Sequence, residues 1–537
     1  MVAVCSVGNG GFAPLAHELV LRHARTAPDR PALVAGDRVV RYGELAERAT
    51  ALAAGLAARG VGRGDRVAVL VPMSPDLYVA VVAIVSLGAI AAFVEPRSSA
   101  RDIARAIGAA APAAFIGVPR AHALRAAFAE VARVPVAIAT ASRGVARTVA
   151  AVALSDVEAD GRGARAPRAT VQPHDPALLT FSSGTTGTPK AVARSHALLA
   201  AQHAAIEHMV APQRPREVHM TAFAIVALSG LASGHTVVIP PLGRGVDRVH
   251  RDRVARDLVA RGVTVVSGSP AFLQPVVSAA PRAALATVRR VITGGAPVPV
   301  DLCERAAERL PRGASMLVVY GSTEAEPIAT IDAADVCGDL AAATRAGRGL
   351  CAGRPVPQVD VRLLRPTAGP LAVGPEGLAG LCVPPGEVGE VAVAGPHVNE
   401  RYWRNRDAER ATKVTDERGR VWHRTGDAAY FDDRGRLWLV GRIGDAVRVG
   451  DGARYSSAVE AVARTVPGVD RAALIADRGG RPRLVVQGRR RARRPLAAAL
   501  AAAGIPDAAI TFARSLPVDP RHRAKLDHHA IRQRYAR

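Results

Sequence analysis

Leu179-Thr180-Phe181-Ser182-Ser183-Gly184-Thr185-Thr186-Gly187-Thr188-Pro189-Lys190 packs hydroxyls and glycines at a density that an ordinary connection does not need. An apolar, strand-like run leads into it and a lysine closes it. Glycine lets backbone approach an anion closely, peptide N–H groups can turn inward as donors, and the terminal ammonium adds a mobile point charge. The segment therefore reads as a phosphate-binding loop. Its spacing is not the GxxxxGK[ST] of the nucleoside-triphosphatase loop.

Outward from this loop, apolar β-branched runs recur between Ala-rich helical stretches: Arg66 to Val71, Val237 to Ile239, Val263 to Val266, Val288 to Ile292 and Met316 to Val319. Strands alternating with helices predict layered α/β structure with largely parallel sheets. After about Ala352 the pattern changes. From Val359 to Leu364 and from Gly389 to Val393, strands follow one another across Gly/Pro turns, predicting a β-rich subdomain over about 353–440. A charged, Gly-rich stretch, Gly444 to Arg454, then precedes a compact strand–helix tail. The boundary near residue 441 separates a large N-terminal body, 1–440, from a smaller α+β C-terminal lobe, 446–537.

Composition narrows the function classes. The chain has 537 residues, 49% apolar and 22% charged, the balance of a soluble globular protein and not of a disordered or collagenous chain. Its 71 basic residues against 47 acidic give a formal charge of +24, yet only Lys190, Lys413 and Lys525 are lysines. So lopsided a ratio, with abundant Ala and Gly, reflects codon composition more than a selected basic face. The one dense run, Arg489 to Arg494, lacks the aromatic residues of a single-strand stacking platform, so no specific nucleic-acid partner is expected. The five cysteines, Cys5, Cys303, Cys337, Cys351 and Cys382, have no metal or framework spacing and read as reduced thiols. Met1 to Pro14 has no secretory pattern, so the expected location is cytoplasmic. Leu77 to Val94 is uncharged, but Ser74-Pro75-Asp76 starts a helix and Gly88 ends it, predicting a buried helix, Pro75 to Leu87, and a short strand, Ile90 to Val94, with no transmembrane segment.

Tyr320-Gly321-Ser322-Thr323-Glu324 sets a ring, hydroxyls and a carboxylate side by side, which a nucleotide–metal site requires. With the 179–190 loop, it resembles the adenylate-forming superfamily of acyl-CoA synthetases, luciferases and peptide-synthetase adenylation domains. The resemblance implies ATP and Mg²⁺ as cofactors. It places Thr180, Ser182, Ser183, Gly184, Thr185, Thr186, Gly187 and Lys190 at the phosphates, and the Gly294-Gly295-Ala296-Pro297 turn at adenine. Tyr320 would stack on adenine beside Gly321 and Ser322, Thr323 would meet phosphate and Glu324 would hold Mg²⁺. Thr425-Gly426-Asp427 resembles the ribose site, Arg442 a ribose contact beside a hinge at 441–445, and Lys525 the adenylation lysine of a mobile C-terminal lobe. Phe223, Gly268, Ser269 and Gly294 fall where an acyl pocket is expected, although Phe223 to Gly230 has equally the composition of an apolar core strand. Lys413 matches no motif and is expected to be a surface residue. His196 and His423 lie near motifs and are expected to be structural, which leaves the base for a hydroxyl nucleophile unassigned.

Departures from the acyl-CoA synthetase pattern point further. Gly444 stands where those enzymes carry Asp or Lys. Gly450-Asp451-Gly452-Ala453-Arg454-Tyr455-Ser456-Ser457-Ala458-Val459-Glu460 has a single Glu in place of an E-hydrophobic-E pattern, in the loop that shapes the thiol tunnel of CoA-using relatives. The tail Pro517-Val518-Asp519-Pro520-Arg521-His522-Arg523-Ala524-Lys525 lacks the usual Gly before its Lys. Both features resemble the β-lactone synthetases of bacterial olefin and β-lactone natural-product pathways. The likeness extends through Phe115 to His122, Gly268 to Ala271, Gly295 to Pro299, Cys351 to Val356 and Trp422-His423-Arg424, while Ser456-Ser457 departs from it. The implied activity is adenylation of a 2-alkyl-3-hydroxy acid and closure by its own β-hydroxyl, with CoA disfavoured as acceptor. Association with other enzymes of the same pathway is a further expectation. A fatty acyl-CoA synthetase or free-standing acyl-AMP ligase, acting on another lipophilic carboxylic acid, is the alternative. An inactive basic adaptor is opposed by the presence of Lys190, Glu324, Asp427 and Lys525.

Overall fold

The computed structural model describes residues 16–96, 98–164, 170–182, 190–214, 216–241, 250–450, 452–518 and 525–536. They divide into two units. One runs up to Pro241 and includes Ala260–Ser267 and Arg401–Asn405; the other takes Leu242–Val259, Gly268–Glu400 and Arg406 onward.

In the first unit the apolar runs become strands of two sheets. One has the order Val152–Ala153, Val136–Ala139, Ala114–Gly117, Arg66–Leu70, Ile90–Phe93, Pro176–Ser182, Lys190–Ser195. Neighbours are parallel until the last pair, where Lys190–Ser195 turns back antiparallel on Pro176–Ser182. Parallel neighbours need crossovers, and the helix Pro75–Ser86 supplies the one between Arg66–Leu70 and Ile90–Phe93. Ser74 caps this helix by accepting the Leu77 N–H at 3.4 Å, and Gly88 leaves it at φ +68°. Its side chains from Leu77 to Val85 are all buried, so the uncharged stretch is core. No described helix is long and apolar enough to cross a membrane. The second sheet runs Arg38–Arg41, Pro31–Ala35, Thr236–Ile239, Val218–Thr221, Val265–Gly268, parallel except for the first pair.

The segment Phe223 to Gly230 is a helix, Ala224–Ala232, and not an apolar strand. Its residues from Ala227 to Ala232 are buried, and a short run that is apolar on every face carries no periodicity to separate helix from strand.

In the second unit Arg290–Gly294 and Ser315–Ser322 are parallel, and every later addition is antiparallel: Ala325–Asp332, Leu350–Pro355, Leu437–Arg442, Val421–Phe431, Gly389–Ala394, Asp360–Leu364. The expectation of largely parallel sheets thus holds for the first unit, and the change to successive antiparallel strands expected after about Ala352 begins earlier, at the hairpin of Ser315–Ser322 with Ala325–Asp332. Ile328, Val391, Val393, Ala429 and Leu437 fill the core here. After Arg442 come a hairpin, Val447–Val449 with Gly452–Arg454, and a three-stranded sheet, Val469–Ala476, Pro482–Gly488 and Ala509–Ala513. The helices Ser456–Arg464 and Arg493–Ala502 bury Val459, Ala463, Leu496 and Leu500 in the same cluster as Leu474, Leu484 and Val486.

Candidate functional site

Arg290–Gly294 and Ser315–Ser322 run in register from Arg290 opposite Ser315 to Gly294 opposite Val319. Beyond the carboxyl ends of parallel strands the chain leaves the sheet and opens an edge where ligands bind. Two of the motifs leave there. At Gly294 a Cβ would stand 2.5 Å from the Val319 carbonyl oxygen, so these strands approach too closely for any side chain. Gly295 follows at φ +76°, a left-handed conformation that suits glycine. Ser322 pairs with Ala325, so Thr323 and Glu324 form the two-residue tip of a hairpin, both half-buried. The hydroxyl oxygens of Ser269, Thr293 and Ser322 are buried without a hydrogen bond among the described residues. Buried polar groups normally have partners, and this set fits a polar ligand such as a nucleotide.

A second cluster forms around Asp427, which lies opposite Arg442 in the antiparallel pair Val421–Phe431 and Leu437–Arg442. Tyr320 donates its hydroxyl to Asp427 Oδ2 at 2.7 Å, and Arg442 Nη1 donates to Oδ1 at 2.8 Å and to the Thr425 carbonyl at 2.9 Å. The Asp427 N–H donates to Thr425 Oγ1 at 3.1 Å. Burial, and then the Asp427 charge, push the Tyr320 phenol well above its ordinary range, so it is a neutral donor. The Asp427 charge likewise outweighs burial and raises Arg442 above its usual value. A carboxylate has about four lone-pair positions, so Asp427 keeps acceptor capacity beyond its two side-chain partners. Tyr320 therefore joins the hairpin edge to the carboxylate of Thr425-Gly426-Asp427.

Glu324 is the hard oxygen donor at this edge. Mg²⁺ usually takes one or two carboxylates together with phosphates and water. A single carboxylate at a half-buried hairpin tip, beside an orphaned hydroxyl, fits that donor set. No cluster of three or more His, Cys, Asp or Glu able to hold a metal occurs among the described residues.

In the first unit, Thr180 is half-buried in Pro176–Ser182, and Ser182 ends that strand opposite Lys190. Ser183, Gly184, Thr185, Thr186 and Gly187 lie outside the described residues, as do Asp519 and His522 of the tail. The Lys190 ammonium stands 5.9 Å from the centroid of the Tyr402 ring, within cation–π range. Phe223 is the half-buried residue preceding the helix Ala224–Ala232. His196 is buried edge-on to His17, 5.7 Å between ring centres, and burial lowers its pKa, as befits a core histidine.

In the second unit, Gly268 leaves room for Phe272, whose Cδ1 would be 2.4 Å from a Cβ there, and Ser269 begins the helix Pro270–Ala279. Ala296 and Pro297 continue from Gly295 toward the helix Val300–Arg309. His423 is buried in Val421–Phe431. Lys525 precedes Leu526, which bridges Val518, and Asp527, which caps the helix His528–Tyr535 by accepting the Ala530 N–H at 2.9 Å. Lys413 is not the surface residue expected: it is half-buried, with its ammonium on the Asn399 carbonyl.

Sequence reasoning missed the supports of these motifs. Glu390 and Arg424 form a buried ion pair at 2.6 Å, and Glu390 Oε1 accepts the Gly426 N–H at 3.2 Å. Arg424 also donates to the carbonyls of Thr367, Gly369 and Ala411, so the turn before Asp427 rests on a satisfied network. Glu460, noted only for its offset from Gly452, turns into its own lobe, 3.2 Å from His528 Nε2, and accepts the Leu474 N–H at 3.3 Å. Arg532 donates to Asp445, next to Gly444, at 2.5 Å. The signal available was the charge of these residues, but partners 34 to 87 positions apart cannot be matched from one sequence.

Residues 20–403 match the AMP-binding enzyme family. The chain is 34% identical to the olefin beta-lactone synthetase of Xanthomonas campestris pv. campestris over 470 residues, 84% of this chain and 83% of that protein. It is 30% identical to a feruloyl-CoA synthase of an Amycolatopsis species over 475 residues, 85% and 84% of the two chains. The amide bond synthetase McbA of Marinactinospora thermotolerans has a similar structure, with a TM-score of 0.78, 25% identity and coverage of 97% of this chain and 100% of that one.

Proposed function

The chain belongs to the AMP-binding enzyme family and is an adenylate-forming ligase; on that premise we propose that its substrate is a 2-alkyl-3-hydroxy acid and its product a β-lactone. The observation that carries this most is the 34% identity to an olefin beta-lactone synthetase across 84% of the chain. The altered loop supports it: Glu460 is engaged with His528 inside the C-terminal lobe.

In the first step the substrate carboxylate attacks the α-phosphorus of ATP, and pyrophosphate leaves. Lys190 and the 183–187 loop hold phosphate oxygens, with Thr323 at the same group. Tyr320 and the Gly294–Pro297 turn hold adenine, while Asp427 and Arg442 hold ribose. Glu324 would hold Mg²⁺, whose charge offsets that of the phosphates. Lys525, on a lobe that begins at the 441–445 hinge, stabilises negative charge developing on the attacked group. In the second step the β-hydroxyl oxygen attacks the acyl carbon, its proton passes to solvent water, and the bond from the acyl carbon to the phosphate oxygen breaks, so that AMP leaves as the four-membered ring closes. Nucleophile and electrophile share one molecule, so no second substrate has to be captured, an advantage of up to about 7–11 kcal/mol in well-oriented systems. Phe223, Gly268 and Ser269 line the acyl chain.

The test is turnover without CoA. With ATP, Mg²⁺ and a long-chain 2-alkyl-3-hydroxy acid, the enzyme should release one AMP per lactone. The matched acid without the 3-hydroxyl should stop at the adenylate after about one equivalent of pyrophosphate per enzyme, because the nucleophile itself is missing. CoA should change neither result. The feruloyl-CoA synthase likeness makes the competing outcome specific: a thioester formed as fast as the lactone or faster would replace this proposal with an acyl-CoA ligase.

A further inference from the structure

Of 71 basic residues only three are lysines. Lys190 and Lys525 stand in recognised motifs, which leaves Lys413 to be accounted for. It opens the strand Lys413–Thr415, paired antiparallel with Val421–Phe431 so that Lys413 faces His423, on the strand that carries Asp427. Its half-buried ammonium donates to the Asn399 carbonyl. Asn399 is itself buried, and its N–H donates to the Glu324 carbonyl at 2.6 Å. The preceding residues repeat the attachment: Val398 bridges Ala325, and His397 Nε2 lies 2.7 Å from the Pro327 carbonyl. His397-Val398-Asn399 therefore runs along the limb of the hairpin whose tip is Thr323-Glu324. The Lys413 side chain ties that segment to the strand of Asp427.

We propose that Lys413 is a positioning residue for Glu324, holding the turn that offers its carboxylate to the ATP-bound Mg²⁺ in fixed relation to the strand of Asp427. The inference rests on the role given to Glu324 above. The contact also explains why a lysine persists in an arginine-rich chain. The site is half-buried and offers the Asn399 carbonyl oxygen, which a compact ammonium can reach, whereas a planar guanidinium brings several fixed donors in a different geometry. Residues that orient a metal ligand typically cost about 10- to 100-fold in metal affinity or activity when changed.

The experiment compares the full-length wild type with Lys413→Met and Lys413→Arg by calorimetric titration of ATP, with and without Mg²⁺, alongside thermal melting and the Mg²⁺ dependence of pyrophosphate release. In Lys413→Met, ATP affinity in EDTA should stay within about twofold of wild type, while the gain in affinity from Mg²⁺ falls about tenfold and half-saturating Mg²⁺ for turnover rises by a similar factor. Lys413→Arg, which keeps the charge, should recover part of the gain. An unchanged Mg²⁺-dependent gain in Lys413→Met overturns the inference, and so does an equal loss of ATP affinity with and without the metal. If Lys413→Met does not fold, the same comparison on Lys413→Arg decides: a wild-type gain there overturns the inference. A wild-type chain whose ATP binding gains nothing from Mg²⁺ would instead overturn the role of Glu324, and the inference with it.

Discussion

Asp427 receives Tyr320 on one oxygen and Arg442 on the other, so the ribose role proposed for it can be tested with little change of shape. Asp427→Asn keeps the outline and removes the charge that Arg442 answers. A hydrogen bond to a charged group contributes about 1.5–3 kcal/mol, so KM for ATP should rise about 10- to 100-fold with a smaller fall in kcat. Steady-state pyrophosphate release reads both, and an unchanged KM would remove Asp427 from the nucleotide site. For Lys525→Ala the split reverses: pyrophosphate release should drop by orders of magnitude while ATP still binds, because the ammonium acts on charge that develops during the reaction. Near-normal turnover would take that role away. Residues of this kind can be singled out in the sequence because each stands in a short contiguous motif whose chemistry is readable on its own. Glu390, Arg424 and Lys413 cannot. Their work is done through partners distant in sequence, and nothing local distinguishes a buried Arg–Glu pair or a carbonyl-bound lysine from solvated surface charge.

The helix His528–Tyr535 is capped by Asp527, the residue just before it, and is fastened twice, by His528 to Glu460 and by Arg532 to Asp445. Burial alone would lower the His528 pKa, but the hydrogen bond and charge of Glu460, aided by Asp445 and opposed by Arg532, raise it above 6.5. Burial also raises Glu460. A group whose pKa is raised on folding stabilises the fold fully below its unfolded value and loses that contribution as pH rises through the folded value. The tail helix should therefore loosen above pH 6.5. In melting curves taken from pH 6 to 9, wild type should lose more thermal stability than His528→Gln, which cannot titrate. Parallel pH profiles of the two proteins would dismiss the pair as a pH-dependent fastening. Elements themselves were legible where a cap, a proline and a glycine marked the ends, as at Pro75–Ser86. They were not at Ala224–Ala232, where all-round burial erases the period, nor in the antiparallel sheet beyond Tyr320, whose strand order depends on pairing that composition does not encode.

Across the whole molecule, burial holds a set of histidines neutral. His17, His23, His122, His196, His203 and His397 are all lowered by burial, His17 and His203 to about 4. Each would protonate near 6.5 in the unfolded chain, so each contributes stability that is complete above that pH and is lost as pH falls toward the folded value. Carboxylates act lower: Asp432, held near 2 by hydrogen bonds from Trp438 and Arg436 that outweigh its burial, begins to lose its contribution only below its ordinary 3.8. The interval between pH 6.5 and about 4 is therefore where these histidines weigh on stability. His17 is the clearest case, buried among Val81, Val82, Val85, Leu178 and Leu228 with His196 edge-on, and by linkage its share approaches about 3 kcal/mol once it must be charged to unfold. Leucine suits those apolar walls and cannot titrate. The urea midpoint of wild type should fall between pH 7 and pH 4.5, and His17→Leu should fall clearly less. The self-repulsion of a chain with formal charge +24 also grows on acidification, but it weighs on both proteins alike, so the difference between them isolates the histidine. Equal losses in the two would mean that His17 does not govern the acid edge of stability.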